Sequence, residues 1–162
     1  GVYTRDSGDM TLFGKKIEGD ITPKKAQELG ISIIHQELNM CAHLSVMQNI
    51  FLGRELRKGQ LLDDREMRRH TQKVLDELNI PGITPDTIVG DIQVSKQQMV
   101  EIAKAIQTNA KILVMDEPTS ALTDNEIDKL FEIIRELKSR GVGIVYISNR
   151  LEELREIVDR DK

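Results

Sequence analysis

Lys111-Ile112-Leu113-Val114-Met115-Asp116-Glu117-Pro118-Thr119-Ser120-Ala121-Leu122-Thr123 is the stretch from which the fold class is read. Four consecutive apolar residues with no polar alternation predict a strand buried on both faces, the usual state in a parallel sheet. Asp116 and Glu117 stand together at its carboxyl end, where open α/β sheets place their ligands. Pro118 stops the strand, and Thr123-Asp124-Asn125-Glu126 is a capping box that opens a helix.

Downstream, that helix carries Ile127, Leu130, Phe131, Ile134 and Leu137 on one face and ends at Gly141. Gly143 to Ser148 is another apolar strand, and a last helix from Leu151 shows Leu151, Leu154 and Val158 among alternating charges. Strand, helix, strand with crossovers of this length implies parallel pairing. Upstream, Met10 to Phe13 is a short strand, and Gly14-Lys15-Lys16 turns the chain toward Ile17, predicting an N-terminal β-hairpin. Thr22-Pro23 starts a helix ended by Gly30 as its left-handed C′ residue. Ile31 to Ile34 then form a strand closed by His35-Gln36-Glu37.

Residues 38–108 change character. Ser45-Val46-Met47-Gln48 is a capping box, and Asp63 with Glu66 repeats the device ahead of a helix through Met67, Val74, Leu75 and Leu78. A third helix, from about 95 to 107, has Met99, Ile102, Ala103 and Ile106 at helical spacing and is expected to turn Gln98, Glu101 and Lys104 outward. The whole is an α/β chain with a parallel sheet core, a helical insertion and an N-terminal hairpin. Its expected segments are 1–37, 38–108 and 109–162.

The 162 residues suffice for one domain with a core. A net charge of −4 and pI near 5.5 supply no general attraction for nucleic acid. One cysteine, Cys41, leaves no internal disulfide and suits a reducing compartment. No run approaches the roughly 18 apolar residues of a membrane span. The start, GVYTRDSGDM, has no signal-peptide pattern and, like the end REIVDRDK, falls mid-pattern, so the sequence is expected to be a piece of a longer protein.

Adjacent acids at a strand end suit phosphoryl transfer, in which one carboxylate holds Mg²⁺ and another group orients or deprotonates water. The same acids alone would equally suit a solvated loop. The longer string separates the two. VMDEPTSALT, preceded by QQMVEIAKAI and followed by a strand ending YIS, resembles the ATP-binding subunit of an ABC transporter. IIHQELN and HLSVMQNIFLGREL resemble the monosaccharide-importer branch (ribose, galactose, xylose), and within it the first of two fused cassettes. The resemblance covers nearly the whole chain in order and implies a P-loop NTPase-type fold.

It also implies roles. Asp116 matches the Walker B aspartate acting on Mg²⁺ through water, and Glu117 the catalytic glutamate that polarises the attacking water. Gln36 matches the Q-loop glutamine, which senses Mg²⁺ and the γ-phosphate; Ser120, Ala121, Leu122 and Thr123 match the D-loop. ATP and Mg²⁺ are the implied ligands. The implied partners are a second cassette held head to tail, a membrane permease engaging through a coupling helix, and indirectly a periplasmic sugar-binding protein, with no nucleic acid. The expected location is cytoplasmic, peripheral on the inner face of the cell membrane. Leu44, Val46, Ile50 and Phe51 could serve the permease groove or the core.

Three departures from the family pattern stand out. The signature Leu-Ser-Gly-Gly-Gln aligns with Ile92-Gln93-Val94-Ser95-Lys96, which replaces the Ser by Gln93 and the second Gly by Ser95 and puts Lys96 where Gln belongs. A side chain at 95 crowds the phosphate site, although Ser95 and Lys96 keep donors. Asn149 occupies the switch-histidine position; it can donate a hydrogen bond but is shorter and cannot share a proton. A Walker A loop, Gly-x4-Gly-Lys-Ser/Thr, is absent: the only Gly-Lys pair, Gly14-Lys15, is followed by Lys16 and has Asp9 where the first Gly should be. In the family that loop lies just before the position of residue 1, as does the adenine-stacking aromatic, for which Tyr3 is a poor substitute.

Other residues read blandly. His35, Cys41, His43 and His70 lack metal-ligand spacing. Arg65, Arg68, Arg69 and His70 read as a solvated helix face, and Met47, Met99 and Met115 as core filling. The alternative functions are a hydrolysis-impaired regulatory cassette, favoured by the altered signature and Asn149, and a soluble ABC ATPase of DNA repair or translation. Without a phosphate-cradling loop, residues 1–162 alone are expected to release no measurable phosphate from ATP; clear hydrolysis by the purified chain refutes this.

Overall fold

The computed structural model describes residues 7–19, 21–108, 110–150, 153 and 157. In chain order its elements are β1 (Thr11–Leu12), β2 (Lys15–Lys16), α1 (Pro23–Glu28), β3 (Ile31–Ile34), α2 (Val46–Phe51), β4 (Arg57–Lys58), β5 (Leu61–Leu62), α3 (Asp64–Glu77), α4 (Val94–Gln107), β6 (Ile112–Asp116), α5 (Asp124–Ser139) and β7 (Gly143–Ile147). The central sheet has the order β3-β6-β7, parallel throughout. Ile34 lies opposite Met115, and Asp116 opposite Ile147.

The expectation that β6 is buried on both faces holds on one. Ile34, Leu113 and Met115 share the covered face at 0–1% exposure, and Tyr146 beside Met115 meets Phe131 of α5 edge to face at 6.4 Å. On the other face Ile33, Val145 and Ile147 are each 48% exposed, because no described helix lies over them. The covered face joins Ile127, Leu130, Phe131, Ile134 and Leu137, as their spacing predicts, and Ile133 as well. Each such side chain contributes about 1.5–3 kcal/mol at most by leaving water, against about 1 kcal/mol for a helix cap. Burial, then, decides where α5 lies, and the cap decides where it begins.

Capping follows the sequence with one exception. Thr22 Oγ1 accepts from the Lys25 N–H at 3.2 Å, and Gly30 has φ +83° as a left-handed C′ residue. Ser45 and Gln48 form the full reciprocal box, and the Glu126 carboxylate accepts from the N–H and hydroxyl of Thr123 at 2.9 and 2.8 Å. At α3 only half of the box forms. Asp63 accepts from the Glu66 N–H, but its own N–H donates to Leu56 O, and the Glu66 carboxylate turns to Arg69 and His70.

The N-terminal hairpin is present with a shifted turn. Phe13 (φ 49°) and Gly14 (φ 74°) form it, so Lys15 and Lys16 belong to β2 rather than to the turn. A second hairpin, β4-β5, was not expected: Gly59 supplies the turn, but Arg57, Lys58, Leu61 and Leu62 are all exposed and show no alternation. The last helix expected from Leu151, with Leu154 and Val158, lies outside the described residues apart from Glu153 and Ile157, both buried.

In the insertion, α4 packs against α2, α3 and β3. This overturns the outward placement of two of its residues: Gln98 is 1% exposed and Glu101 5%, while Lys104 is half-buried. A helix with neighbours on three sides has no wide polar face left. Glu101 Oε2 accepts from the Asn39 N–H at 3.3 Å. Burial pushes its carboxyl above the usual range, against the opposing pull of the Asn39 N–H, Lys104 and His35. Met47, Met99 and Met115 fill the core as expected, and Val46, Ile50 and Phe51 are core residues too, so they are withdrawn from any docking surface.

A carboxyl whose folded-state titration lies above the unfolded one stabilises most when protonated, and that contribution is lost as pH rises through the folded-state value. Glu101→Gln keeps the acceptor for Asn39 and is neutral at every pH. Its Tm is expected to exceed wild type at about pH 8 and to converge with it near pH 4. A Tm difference that does not change with pH counts against the buried charge.

Candidate functional site

The parallel register brings the ends of three strands to one edge. Gln36 lies two residues past the end of β3, Asp116 ends β6, and Asn149 lies two residues past the end of β7. Asp116 and Glu117 are half-buried, and Gln36 and Asn149 are exposed. The Gln36 Nε2 donates to Glu117 Oε2 at 2.9 Å. That bond sets the amide orientation and leaves the Gln36 carbonyl oxygen without a hydrogen bond among the described residues.

Glu117 has φ +44°, a left-handed conformation that a non-glycine residue seldom adopts. Its N–H still donates to Ile147 O at 2.8 Å, so the pairing with β7 continues one residue beyond the strand. The backbone then reverses: Ser120 N–H reaches Glu117 O at 3.3 Å, and Leu122 N–H reaches Thr119 O at 3.0 Å. The left-handed residue holds the carboxylate at the strand end, toward Gln36, before the chain folds into α5. Such a conformation costs on the order of 1–3 kcal/mol and clusters at functional sites.

Ser120 is exposed, and Ala121 and Leu122 are half-buried at the entry to α5. Pro118 and Thr119 are buried. Thr119 Oγ1 sits 2.9 and 3.0 Å from the two oxygens of Glu153, whose carboxylate also accepts from Tyr146, Ser148 and Arg150. Neither Thr119 nor Glu153 stands out in the sequence, since Glu153 is one acid in a helix of alternating charges. A Tyr-x-Ser strand end followed by an acid was the only trace of the cluster.

The signature-aligned segment lies at the start of α4. Gln93 and Val94 are exposed, with Val94 at 56%, and Gln93 makes no side-chain capping bond. Ser95 and Lys96 are half-buried. Lys96 Nζ donates to Pro81 O at 3.0 Å. Burial raises the Glu126 carboxyl, but the Thr123 N–H and hydroxyl, the Ser95 hydroxyl and the charge of Lys96 together hold it below the usual range. The structure therefore brings Gln36, Asp116, Glu117 and Asn149 to one edge, and ties Lys96 to Pro81. Tyr3 lies outside the described residues.

The comparisons with known proteins bear on this arrangement. A protein-family model described as ABC transporter matches residues 1–120. The chain belongs to the ABC transporter family. It is 51% identical over 162 residues to a putative ribose/galactose/methyl galactoside import ATP-binding protein of Albidiferax ferrireducens, covering 99% of this chain and 32% of that protein. It is 48% identical over 160 residues to the ribose import ATP-binding protein of Chromobacterium violaceum and 50% identical over 159 to the galactose/methyl galactoside import ATP-binding protein of Escherichia coli, covering 99% and 98% of this chain and 32% and 31% of those proteins. The chain thus spans about a third of the length of the curated relatives it matches. Among solved structures, a nucleotide-free ATP-binding cassette from an ABC transporter superposes with a TM-score of 0.80 at 24% identity, over 98% of this chain and 66% of that one. A dimeric cassette in a post-hydrolysis state bound to ADP and Pi gives 0.79 at 18%, over 97% and 73%. These superpositions establish the cassette fold.

Proposed function

We propose that this chain is the acid-bearing part of an ATP-hydrolysing cassette in the ATP-binding subunit of a monosaccharide importer. The observation that carries the reading is the Asp116–Glu117 pair at the end of the central strand, with Gln36 hydrogen-bonded to Glu117. Identity near 50% to ribose and galactose import ATP-binding proteins supports the sugar class.

ATP is the substrate. Mg²⁺, when bound, would neutralise charge developing on the phosphates. Such an ion commonly takes only one or two protein carboxylates and fills its remaining positions with phosphate oxygens and water. Asp116 and the carbonyl oxygen of Gln36 fit that donor set, Asp116 through water. Among the described residues no group of three or more His, Cys, Asp or Glu could hold a metal by protein alone.

Glu117 is the group that accepts a hydrogen bond, and then the proton, from the attacking water; Gln36 holds its carboxylate in place for that task. Asn149 donates to the γ-phosphate. Ser120, Ala121 and Leu122 face a second cassette, whose nucleotide meets Gln93, Val94, Ser95 and Lys96. The remaining partners are a permease, docked near 36–51 where His43 and Gln48 are exposed, and a periplasmic sugar-binding protein acting through it. The subunit would sit in the cytoplasm against the inner face of the membrane, without a nucleic-acid ligand. No helix among the described residues is long and apolar enough to cross a membrane.

A second reading is a cassette that closes on nucleotide but turns over slowly. It is favoured by Lys96 being tied to Pro81 O, and by Asn149 in place of a proton-sharing His. A soluble ATPase of DNA repair or translation has no supporting observation.

In the full-length protein with its permease, Glu117→Gln is expected to lower kcat by about 10²-fold or more, as for loss of a general base, while ATP affinity stays close to wild type. Retained turnover sinks the role of Glu117. Asn149→His is expected to raise kcat; if turnover is unchanged, residue 149 does not limit this site and the slow-cassette reading loses its main support.

A further inference from the structure

Glu153 has no role in the mechanism above, yet it is the most heavily hydrogen-bonded side chain near the site. It is 6% exposed, and its carboxylate gathers Tyr146 Oη, Ser148 Oγ and Thr119 Oγ1 at 2.9 Å and Arg150 Nη1 at 3.0 Å. Those donors come from three places: the loop after Glu117, the end of β7, and the residues flanking Asn149. Burial raises the Glu153 carboxyl, but Tyr146, Thr119, Ser148 and Arg150 outweigh it and hold it below the usual range, so it is charged at neutral pH.

We propose that Glu153 is a positioning residue that clamps the acid-bearing loop and the switch-position turn into one rigid unit. Thr119 is two residues beyond Glu117, so anchoring its side chain fixes the reversal that holds Glu117 at φ +44°. Ser148 and Arg150 bracket Asn149. Ser148 Oγ accepts from the Arg150 N–H at 3.0 Å while its own proton goes to Glu153, which closes a tight turn with the Asn149 backbone inside it. The exposed Asn149 side chain makes no bond in the described structure that would hold it, so its placement depends on this turn. An apolar residue at 153 would leave three hydroxyls at the site without their shared acceptor, a cost that a buried cluster cannot pass to solvent. A glutamine would keep the shape but point an NH2 group at one or more donors.

The reading rests on the proposed hydrolytic role of Glu117, and the test separates the two. In the full-length protein, Glu153→Gln is expected to lower kcat roughly tenfold or more, the usual scale for a group that orients a reacting one, with KM for ATP changed less than about twofold. Thr119→Val should give a smaller loss, and adding it to Glu153→Gln should cost little more, because both open the same clamp. Amide hydrogen exchange without nucleotide gives a readout independent of turnover: Glu153→Gln should speed exchange at 117–122 and 147–150 and leave α3 and α4 unchanged. Unaltered exchange in those two segments overturns the clamp, as does a kcat loss that only tracks the fraction of unfolded protein. Wild-type protein that binds ATP without hydrolysing it would defeat the hydrolytic role of Glu117, and the exchange result would still decide the clamp.

Discussion

The site depends on the parallel pairing of β6 between β3 and β7. Because all three strands run the same way, their carboxyl ends meet at one edge, and residues far apart in sequence become neighbours there. The register sets Asp116 opposite Ile147, and one further backbone bond, Glu117 N–H to Ile147 O, carries the pairing past the strand. The position of the Glu117 carboxylate follows from that bond and from the left-handed turn beyond it. A slip of one residue would send Leu113 and Met115 to the open face and expose the apolar set that α5 covers. Core burial and site geometry are therefore under the same constraint.

The helical insertion is attached to this edge through side-chain hydrogen bonds. Gln36 reaches Glu117, and three residues later the Asn39 N–H reaches Glu101 in the middle of α4. At its start the same helix places Ser95 and Lys96 beside Glu126 in the first turn of α5. Lys96 donates within the chain, to Pro81 O, and Ser95 and Lys96 both help hold the Glu126 carboxyl below the usual range.

Much of this was legible in the residues. The apolar run into two acids, the caps at Thr22, Ser45 and Thr123, and the spacing of Ile127, Leu130, Phe131, Ile134 and Leu137 all have local physical signatures, and the structure bears each of them out. The misses have causes that are not local. Gln98 and Glu101 sit at positions that helical periodicity assigns to solvent, but α4 has neighbours on three sides. The Asp63 box is half-made because Leu56, seven residues back, takes the N–H that the Glu66 side chain would have used. Glu153 looked like one charge among many, because its partners come from Thr119 and from the end of β7.

The sequence by itself determined the order and kind of the main elements, the parallel class of the sheet and the Asp116–Glu117 pair at the strand end. Each is written in adjacent residues or in a short period, which backbone sterics, capping and hydrophobic spacing can read without knowing what lies across the fold. Only the tertiary structure decided that one face of β6 is covered and the other open, that Val46, Ile50 and Phe51 belong to the core, and that Glu117 is held by Gln36 while Thr119, Ser148 and Arg150 converge on Glu153. Burial and hydrogen-bond partnership are properties of pairs distant in the chain, and they exist only once the strands have chosen their register.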